Sequence, residues 1–407
     1  MRRVRAKEAR TGVTMLESSN QLSMPHVLVA CATFKGTMSS KEAGEAVARG
    51  LTSAGIHSRV VALADGGEGL VEALANQVKG ALLVGAPCRC PLQHPRTSTF
   101  AVLPKTSRRT VSTIVIEMAA SSGLNLVPEA QRDPKITTSL GVGDQILAAL
   151  EHQGEHIQIL LGLGGSATND GGAGMAQALG VKLLDDAGNE LEPGGAALLK
   201  LARIDVSGVD PRLLTIPITV ACDVTAPLCG PTGASYVFGK QKGGTPDDLK
   251  LLDDALAHYA RIIQRDLGKT VADIPGAGAA GGLGAGCLAF LNATLKPGIE
   301  IVLDAVDFDR LLKNAMLVVT GEGMLDDQTL MGKAPAGVAD RARRAGIPCV
   351  AVGGSVDEAH RVELSRAFTT IESLSDFAGS SEAAMKEPSR WLENLIHDKA
   401  PGWIAKT

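Results

Sequence analysis

The chain has 407 residues, of which 45% are hydrophobic and 21% charged, with 47 glycines and a formal net charge of −4. That length supports two or three domains with ample core, and 40 Lys plus Arg against 44 Asp plus Glu leaves no basic stripe for nucleic acid. No apolar run approaches the roughly 20 residues that span a bilayer, and neither a disulfide framework nor a His-based metal centre is expected from seven unpaired Cys and eight scattered His.

Residues 1–24 stand apart. Several Arg precede the first acid, Glu8, and no apolar stretch of a secretory signal follows. A disordered leader on a cytoplasmic protein is the expectation, with organelle targeting as the alternative. From His26 the pattern turns regular. Residues 26–31 form a nearly continuous apolar run, as a strand covered on both faces requires. Ser39 and Glu42 make a capping box, and Ala43, Ala46, Val47, Gly50 and Leu51 follow at helical spacing until Gly55. Residues 59–63 read as a second strand and 69–79 as a second helix.

Further strands are expected near residues 112–118, 157–161 and 218–222. Cys88 and Cys90 read as the edge of a strand rather than as a soft-metal chelate. Thr245 and Pro246 open a long helix that runs to Leu267, ahead of a glycine-rich stretch at 276–286. A strand at 315–320, a helix at 335–344 and a strand at 347–352 then repeat the opening rhythm. The simplest architecture is α/β with two domains. One is a discontinuous, doubly wound parallel-sheet domain from residues 25–82 and 295–375, and the other a second α/β domain, 83–294, inserted in it. Residues 376–407 read as a C-terminal helical segment.

Ligands of open parallel sheets bind beyond the C-terminal strand ends. The first strand runs into Thr33-Phe34-Lys35-Gly36, and the second into Asp65-Gly66-Gly67-Glu68-Gly69. The late strands run into Thr320-Gly321-Glu322-Gly323, with Asp326, Asp327 and Lys333 behind, and into Gly353-Gly354-Ser355. Lysine, carboxylates and glycines thus share one rim.

The inserted region holds the sharpest segment, Gly164-Gly165-Ser166-Ala167-Thr168-Asn169-Asp170-Gly171-Gly172, where a strand enters a small-residue loop and a helix leaves. Backbone N–H groups at such a turn cradle phosphate oxygens, and Asn169 and Asp170 can set a hydroxyl or a metal beside them. The segment matches neither a dinucleotide fingerprint nor a P-loop. Asp223 and Thr225 lie just past another strand, and Lys240 and Lys242 sit in an apparent loop, suited to phosphate charge. The inventory fits phosphoryl transfer, which needs positioning, Mg²⁺ and cationic charge more than covalent chemistry.

With these residues laid out, the chain resembles the type I glycerate kinase family. The likeness is carried by Phe34-Lys35-Gly36, residues 64–69 with Asp65, Gly66, Gly67 and Glu68, and Ile116-Glu117-Met118-Ala119-Ala120. It continues through Thr137-Thr138-Ser139, Gly164 to Gly174, Ala221 to Thr225 and Gln241-Lys242-Gly243. Pro275 to Leu283, which includes Gly282, and Thr320 to Gly323 complete it.

The resemblance implies a flavodoxin-like domain with a restriction-enzyme-like α/β domain, and ATP and Mg²⁺ as cofactors. It also implies D-glycerate as acceptor and 2-phosphoglycerate with ADP as products. The partners expected are that small molecule and a second copy of the chain in a homodimer, not nucleic acid or membrane. On this basis Lys35 and Lys242 would steady ATP phosphates alongside Gly164, Gly165, Ser166, Asn169, Gly171 and Gly282. Asp170, or Asp223, would hold the metal or act as base, with Asp170 preferred for the base. Asp65, Gly66, Gly67, Glu68, Thr138 and Glu322 would hold the acceptor. The family usually carries Asp where this chain has Ala32, Asn at Ala226, Arg at Met324, His at Met331 and Pro at Lys240. Those departures leave a weakly active or non-catalytic paralogue, binding nucleotide or a hydroxy acid, as the alternative.

Overall fold

The structure is a computed structural model that describes residues 24–63, 69–106, 110–153, 156–330 and 332–405. Its strands are β1 (His26–Cys31), β2 (Ser58–Val60), β3 (Leu82–Arg89), β4 (Pro95–Leu103), β5 (Ser112–Glu117), β6 (Ile157–Gly162) and β7 (Lys182–Leu184). They continue with β8 (Arg203–Asp205), β9 (Ile218–Ala221), β10 (Thr294–Lys296), β11 (Ala315–Leu325), β12 (Cys349–Val356) and β13 (Thr370–Ser373).

One sheet has the order β13-β12-β11-β1-β2 and is parallel throughout. Counted within the sheet this is the flavodoxin order 2-1-3-4-5, whose topological switch point lies between β1 and β11. It takes strands from both ends of the chain. Both faces are covered, so alternate residues are apolar in both directions. Leu28 and Ala30 of β1 face one core with Val318 and Ala351. Val27, Val29 and Cys31 face the other with Val319 and Val350, under helices Ser40–Ser53 and Pro388–Ile404. The capping box expected at Ser39 and Glu42 is present.

The second sheet has the order β10-β9-β6-β5-β4-β3. Strands β10, β9, β6 and β5 run parallel, while β4 pairs antiparallel with both of its neighbours, β5 and β3. Cys88 lies on β3, an edge strand, and Cys90 just beyond it. One face packs Ile114, Ile116, Ile159 and Val220 on helices Leu140–Gln153 and Ala279–Phe290. The other face contributes Ala101, Leu103 and Val115 to the same apolar cluster as Leu28 and Ala30 of the first sheet. Leu70 and Leu74 of helix Leu70–Gln77 belong to that cluster as well, so the two sheets share one core through this helix.

Some boundaries moved. The late strands run past the expected ends at 320 and 352, because β11 and β12 stay paired through Glu322↔Gly353 and Met324↔Ser355. The glycines here serve that pairing: a Cβ on Gly321 would lie 2.2 Å from the Val352 carbonyl, and one on Gly354 2.5 Å from the Gly323 carbonyl. Among the described residues, no helix is long and apolar enough to cross a membrane.

Candidate active site

The small-residue loop after β6 is pinned from below. Asp170 is fully buried, and Oδ2 accepts from the Ser139 amide at 2.8 Å, the Ser139 hydroxyl at 2.9 Å, Thr138 Oγ1 at 3.3 Å and the Gly174 amide at 3.2 Å. Oδ1 accepts from the Gly172 amide at 3.2 Å. A carboxylate so surrounded organises the loop and the start of helix Ala173–Ala178. The sequence-based preference for Asp170 as base puts it at the surface of the loop, whereas the side chain lies beneath it.

Lys242 differs in the same sense. It stands in a short 3₁₀ turn, Lys240–Lys242, rather than a solvated loop, with 1% of the residue exposed. Its ammonium donates to the Thr168 carbonyl at 2.6 Å. Burial pushes its pKa down to about 7, while the Asp170 charge pulls it upward. Lys240 stays exposed.

The rest of the loop is docked on its neighbours. Leu124 donates to the Gly165 carbonyl at 2.7 Å, Ala167 to the Ser122 carbonyl at 2.9 Å, and Asn169 Nδ2 to Ser235 Oγ at 2.9 Å. Gly171, at φ +63°, leaves no room for a side chain, since a Cβ would meet the Tyr259 ring at 2.8 Å. Gly281 and Gly282 also have positive φ, and a Cβ on Gly281 would lie 1.9 Å from the Thr168 carbonyl. Gly282 is therefore packing surface for the loop, and Thr138 lies wholly buried under it. Gly164 and Gly165, and the edge of Ser166, are what the loop presents outward.

On the neighbouring strand end, Asp223 is exposed, and its Oδ1 accepts from the Gly298 amide, the first residue of helix Gly298–Ala305, at 2.7 Å. Among the described residues no group of three or more His, Cys, Asp or Glu could hold a metal; His152 and His156, four apart in the chain, form no such group.

The first sheet's switch point carries the second cluster. Phe34 is buried and anchors a tight turn in which Phe34 and Met38 exchange backbone hydrogen bonds, so Lys35 and Gly36 stand exposed at its tip. Gly323 comes so close that a Cβ there would lie 3.1 Å from the Lys35 amide nitrogen. Glu322 accepts from Thr329 Oγ1 at 2.7 Å, and Lys333 Nζ lies 3.9 Å from Glu322 and 3.6 Å from Asp326. The backbone of the Lys35 turn thus lies beside Gly323, the residue after Glu322. Asp65, Gly66, Gly67 and Glu68 lie outside the described residues, as does Met331.

Three contributors had no role assigned from the sequence. Ser139 and Tyr259 are loop supports that only the fold brings close to Asp170. Glu117, the last residue of β5, accepts from the Val71 amide at 2.5 Å. A carboxylate ending a buried apolar strand was the available signal for it.

The family model described as the glycerate kinase family matches residues 27–401. The glycerate kinase of Bacillus subtilis (strain 168) is 44% identical over 384 residues, covering 94% of this chain and 98% of that protein. The glycerate 2-kinase of Escherichia coli (strain K12) is 41% identical over 382 residues, covering 92% and 98%. A crystal structure from Salmonella typhimurium LT2, named for a glycerate kinase 2, aligns with a TM-score of 0.79 at 40% identity over 94% of this chain and 99% of that one. Matched nearly end to end in sequence and in fold, the chain belongs to the glycerate kinase family.

Proposed function

We propose that this glycerate kinase transfers the γ-phosphoryl group of ATP to a hydroxyl of D-glycerate, with Mg²⁺, and releases ADP and 2-phosphoglycerate. Family membership carries the phosphotransferase activity and ATP as donor. The enantiomer, the hydroxyl, the metal and the residue roles are the proposal. The Escherichia coli relative named a glycerate 2-kinase supports the 2-position.

The observation that carries the reading is the fixed loop. Five donors hold the Asp170 carboxylate, so Gly164, Gly165 and Ser166 present their backbone without rearrangement. Preorganised N–H groups of this kind stabilise phosphate charge as it shifts toward the leaving group. Asn169, Gly171 and Gly282 keep the loop in place, and Lys242 acts through the Thr168 carbonyl rather than by touching ATP. Asp170 is assigned the same supporting role, and Lys35, exposed at its turn, is the point charge for the phosphates.

Mg²⁺ usually takes one or two carboxylates along with phosphate oxygens and water. The rim fits that pattern through Asp223, exposed at its strand end although Oδ1 also accepts from Gly298, and not through Asp170, which is fully buried with both oxygens held by loop donors. Bound with ATP, the ion neutralises charge on the phosphate oxygens. Glu322 and Lys333 at the switch point are proposed to hold the glycerate hydroxyls and carboxylate, with Asp65 and Glu68 joining them on sequence grounds. Thr138 supports this arrangement only through Asp170.

We also propose two domains, 25–82 with 295–375, and 83–294; the two sheets support the division, with the difference that Leu82 of β3 and Leu295 and Lys296 of β10 pair in the second sheet. The test of function is direct. Purified protein with MgATP and D-glycerate should yield ADP and 2-phosphoglycerate, identified by NMR. Formation of 3-phosphoglycerate would reassign the hydroxyl, and ADP release that does not depend on glycerate would overturn the reading.

A further inference from the structure

The four parallel strands of the second sheet end on one row of paired residues. Lys296 of β10 pairs with Ala221 of β9, Ala221 with Gly162 of β6, and Gly162 with Glu117 of β5. Successive side chains of a strand point to opposite faces. Leu295 packs into the cluster under helix Ala279–Phe290, so Lys296 turns to the other face, where Val115 and Leu160 meet the core shared with the first sheet. Lys296 thus stands on the rim where the chain leaves β6 for the Gly164–Gly172 loop.

The backbone around Lys296 is tied to Asp223 and its neighbour. The Lys296 carbonyl accepts from the Cys222 amide at 2.9 Å, and two residues on, the Gly298 amide donates to Asp223 Oδ1 at 2.7 Å. The Lys296 side chain stays exposed, and among the described residues no carboxylate pairs with it. Other lysines of this half of the chain are engaged. Lys135 pairs with Asp248, Lys269 caps the Leu288 and Ala289 carbonyls, and Lys242 is buried on Thr168. Of the residues that end these four strands, Lys296 alone is a cation. A triphosphate on the loop would otherwise meet only carboxylates from this row, Glu117 and, just past it, Asp223. Neighbouring strands lie about 4.8 Å apart, so Lys296 stands about 9.6 Å from Gly162, a span that a flexible four-carbon side chain and a phosphate chain bridge together.

We propose that Lys296 contacts the phosphate chain of ATP and is the cation of the second-sheet rim. The proposal deepens the reading of the Gly164–Gly172 loop as the phosphate site, and rests on it. Lys296 acts as a point charge beside the carboxylate assigned to Mg²⁺. It takes the place that the sequence suggested for Lys242.

The experiment measures MgATP binding by calorimetric titration without glycerate, and steady-state kinetics with MgATP and D-glycerate. If wild type binds MgATP but leaves glycerate unphosphorylated, the acceptor reading fails while the binding comparison still decides the role of Lys296. Lys296→Ala should weaken MgATP binding about 10- to 100-fold and raise the MgATP KM in step, with the D-glycerate KM within about threefold of wild type. Lys296→Arg, which keeps a cation on a long side chain, should recover most of that loss. The affinity of wild type for MgATP should fall more steeply with salt than that of Lys296→Ala. Lys182→Ala removes an exposed lysine from β7, in the separate two-stranded sheet, and should bind MgATP as wild type does. Each change is at an exposed side chain, so the variants should melt as wild type does. Unchanged MgATP affinity in Lys296→Ala, an equal loss in Lys182→Ala, or a loss confined to the D-glycerate KM overturns the proposal.

Discussion

The ammonium of Lys242 reaches the carbonyl of Thr168 at 2.6 Å from beneath the loop that the carbonyl belongs to. Burial lowers its pKa from the ordinary 10.5 to about 7. A lysine depressed on folding leaves the unfolded chain holding more protons between those two values. Stability therefore rises with pH across the window from about 7 to 10.5. The difference in unfolding free energy between wild type and Lys242→Met should grow by up to about 1.4 kcal/mol per pH unit there. Chemical denaturation between pH 7 and pH 9.5 checks it, and a difference independent of pH would mean an ordinary solvated lysine.

Asp170 is predicted to matter for stability and turnover together. In Asp170→Asn, an amide nitrogen must face donors from Ser139, Gly172 or Gly174, so at least one donor pair is set against itself. Unfolding free energy should fall by about 2–4 kcal/mol, and kcat by on the order of 10²-fold as the loop loses its geometry. A variant that unfolds like wild type yet loses turnover would return Asp170 to the role of base.

Gly281 tests how closely the two glycine-rich segments meet. A Cβ there combines positive φ with a 1.9 Å approach to the Thr168 carbonyl, and the Gly281 carbonyl also receives the Gly171 amide at 3.0 Å. Gly281→Ala should cost more than about 2 kcal/mol. Gly268→Ala, at a similar φ of +68° with open space around it, should cost about 1 kcal/mol. Equal losses in thermal or chemical unfolding would remove the close approach as the cause.

Much of this was legible in the residues, and the limits have physical reasons. Apolar runs such as β1 and the caps at Ser39 and Thr245 are local signals, and they came out where the pattern put them. The flavodoxin strand order agrees with the fold that the resemblance implied. Side-chain depth was not legible. A Lys between Gln and Gly reads as solvated, and only the packing over helix Ala234–Phe238 and the β6 loop buries Lys242. Glycine-rich stretches read as ligand loops, yet Gly321, Gly354 and Gly281 are small because backbone, not ligand, comes close. Of the antiparallel pair β3 and β4 only a strand edge at Cys88 and Cys90 was read, since the alternation is irregular and Leu82 and Leu83 are both exposed.

Metal dependence follows from the charge on the rims. Among the described residues, Asp223, Glu322 and Asp326 offset the cations Lys35, Lys333 and Lys296, which leaves too little positive charge to neutralise a nucleoside triphosphate. Activity should vanish in excess EDTA and return with Mg²⁺ or Mn²⁺. The unfolding free energy without nucleotide should be unchanged by EDTA, because no cluster of three metal-ligating side chains is present among the described residues. Full turnover in EDTA would refute the dependence.

The last prediction concerns the positions where this chain departs from the family pattern. Ala32 is 5% exposed, packed in the core shared by the sheets, with its amide donating to the Gly321 carbonyl at 2.8 Å. Met324 is 49% exposed on β11, one residue past Gly323. The two changes should therefore behave differently. Ala32→Asp places a carboxylate where an alanine methyl packs, and should cost on the order of 1–3 kcal/mol unless a partner meets it. Met324→Arg, exposed, should leave stability within about 0.5 kcal/mol. If Lys333 already serves the acceptor's carboxylate, Met324→Arg should change kcat/KM by less than about threefold, since the added cation duplicates a charge that is present. If the chain has drifted from glycerate, wild type should be feeble, and the added guanidinium should raise kcat/KM about 10- to 100-fold, the worth of one charge-assisted hydrogen bond. Steady-state kinetics of wild type, both single variants and the double variant decide between these outcomes. Wild-type turnover that no restored residue improves is the expected result, and a feeble wild type rescued by Met324→Arg would make the binding paralogue the better reading.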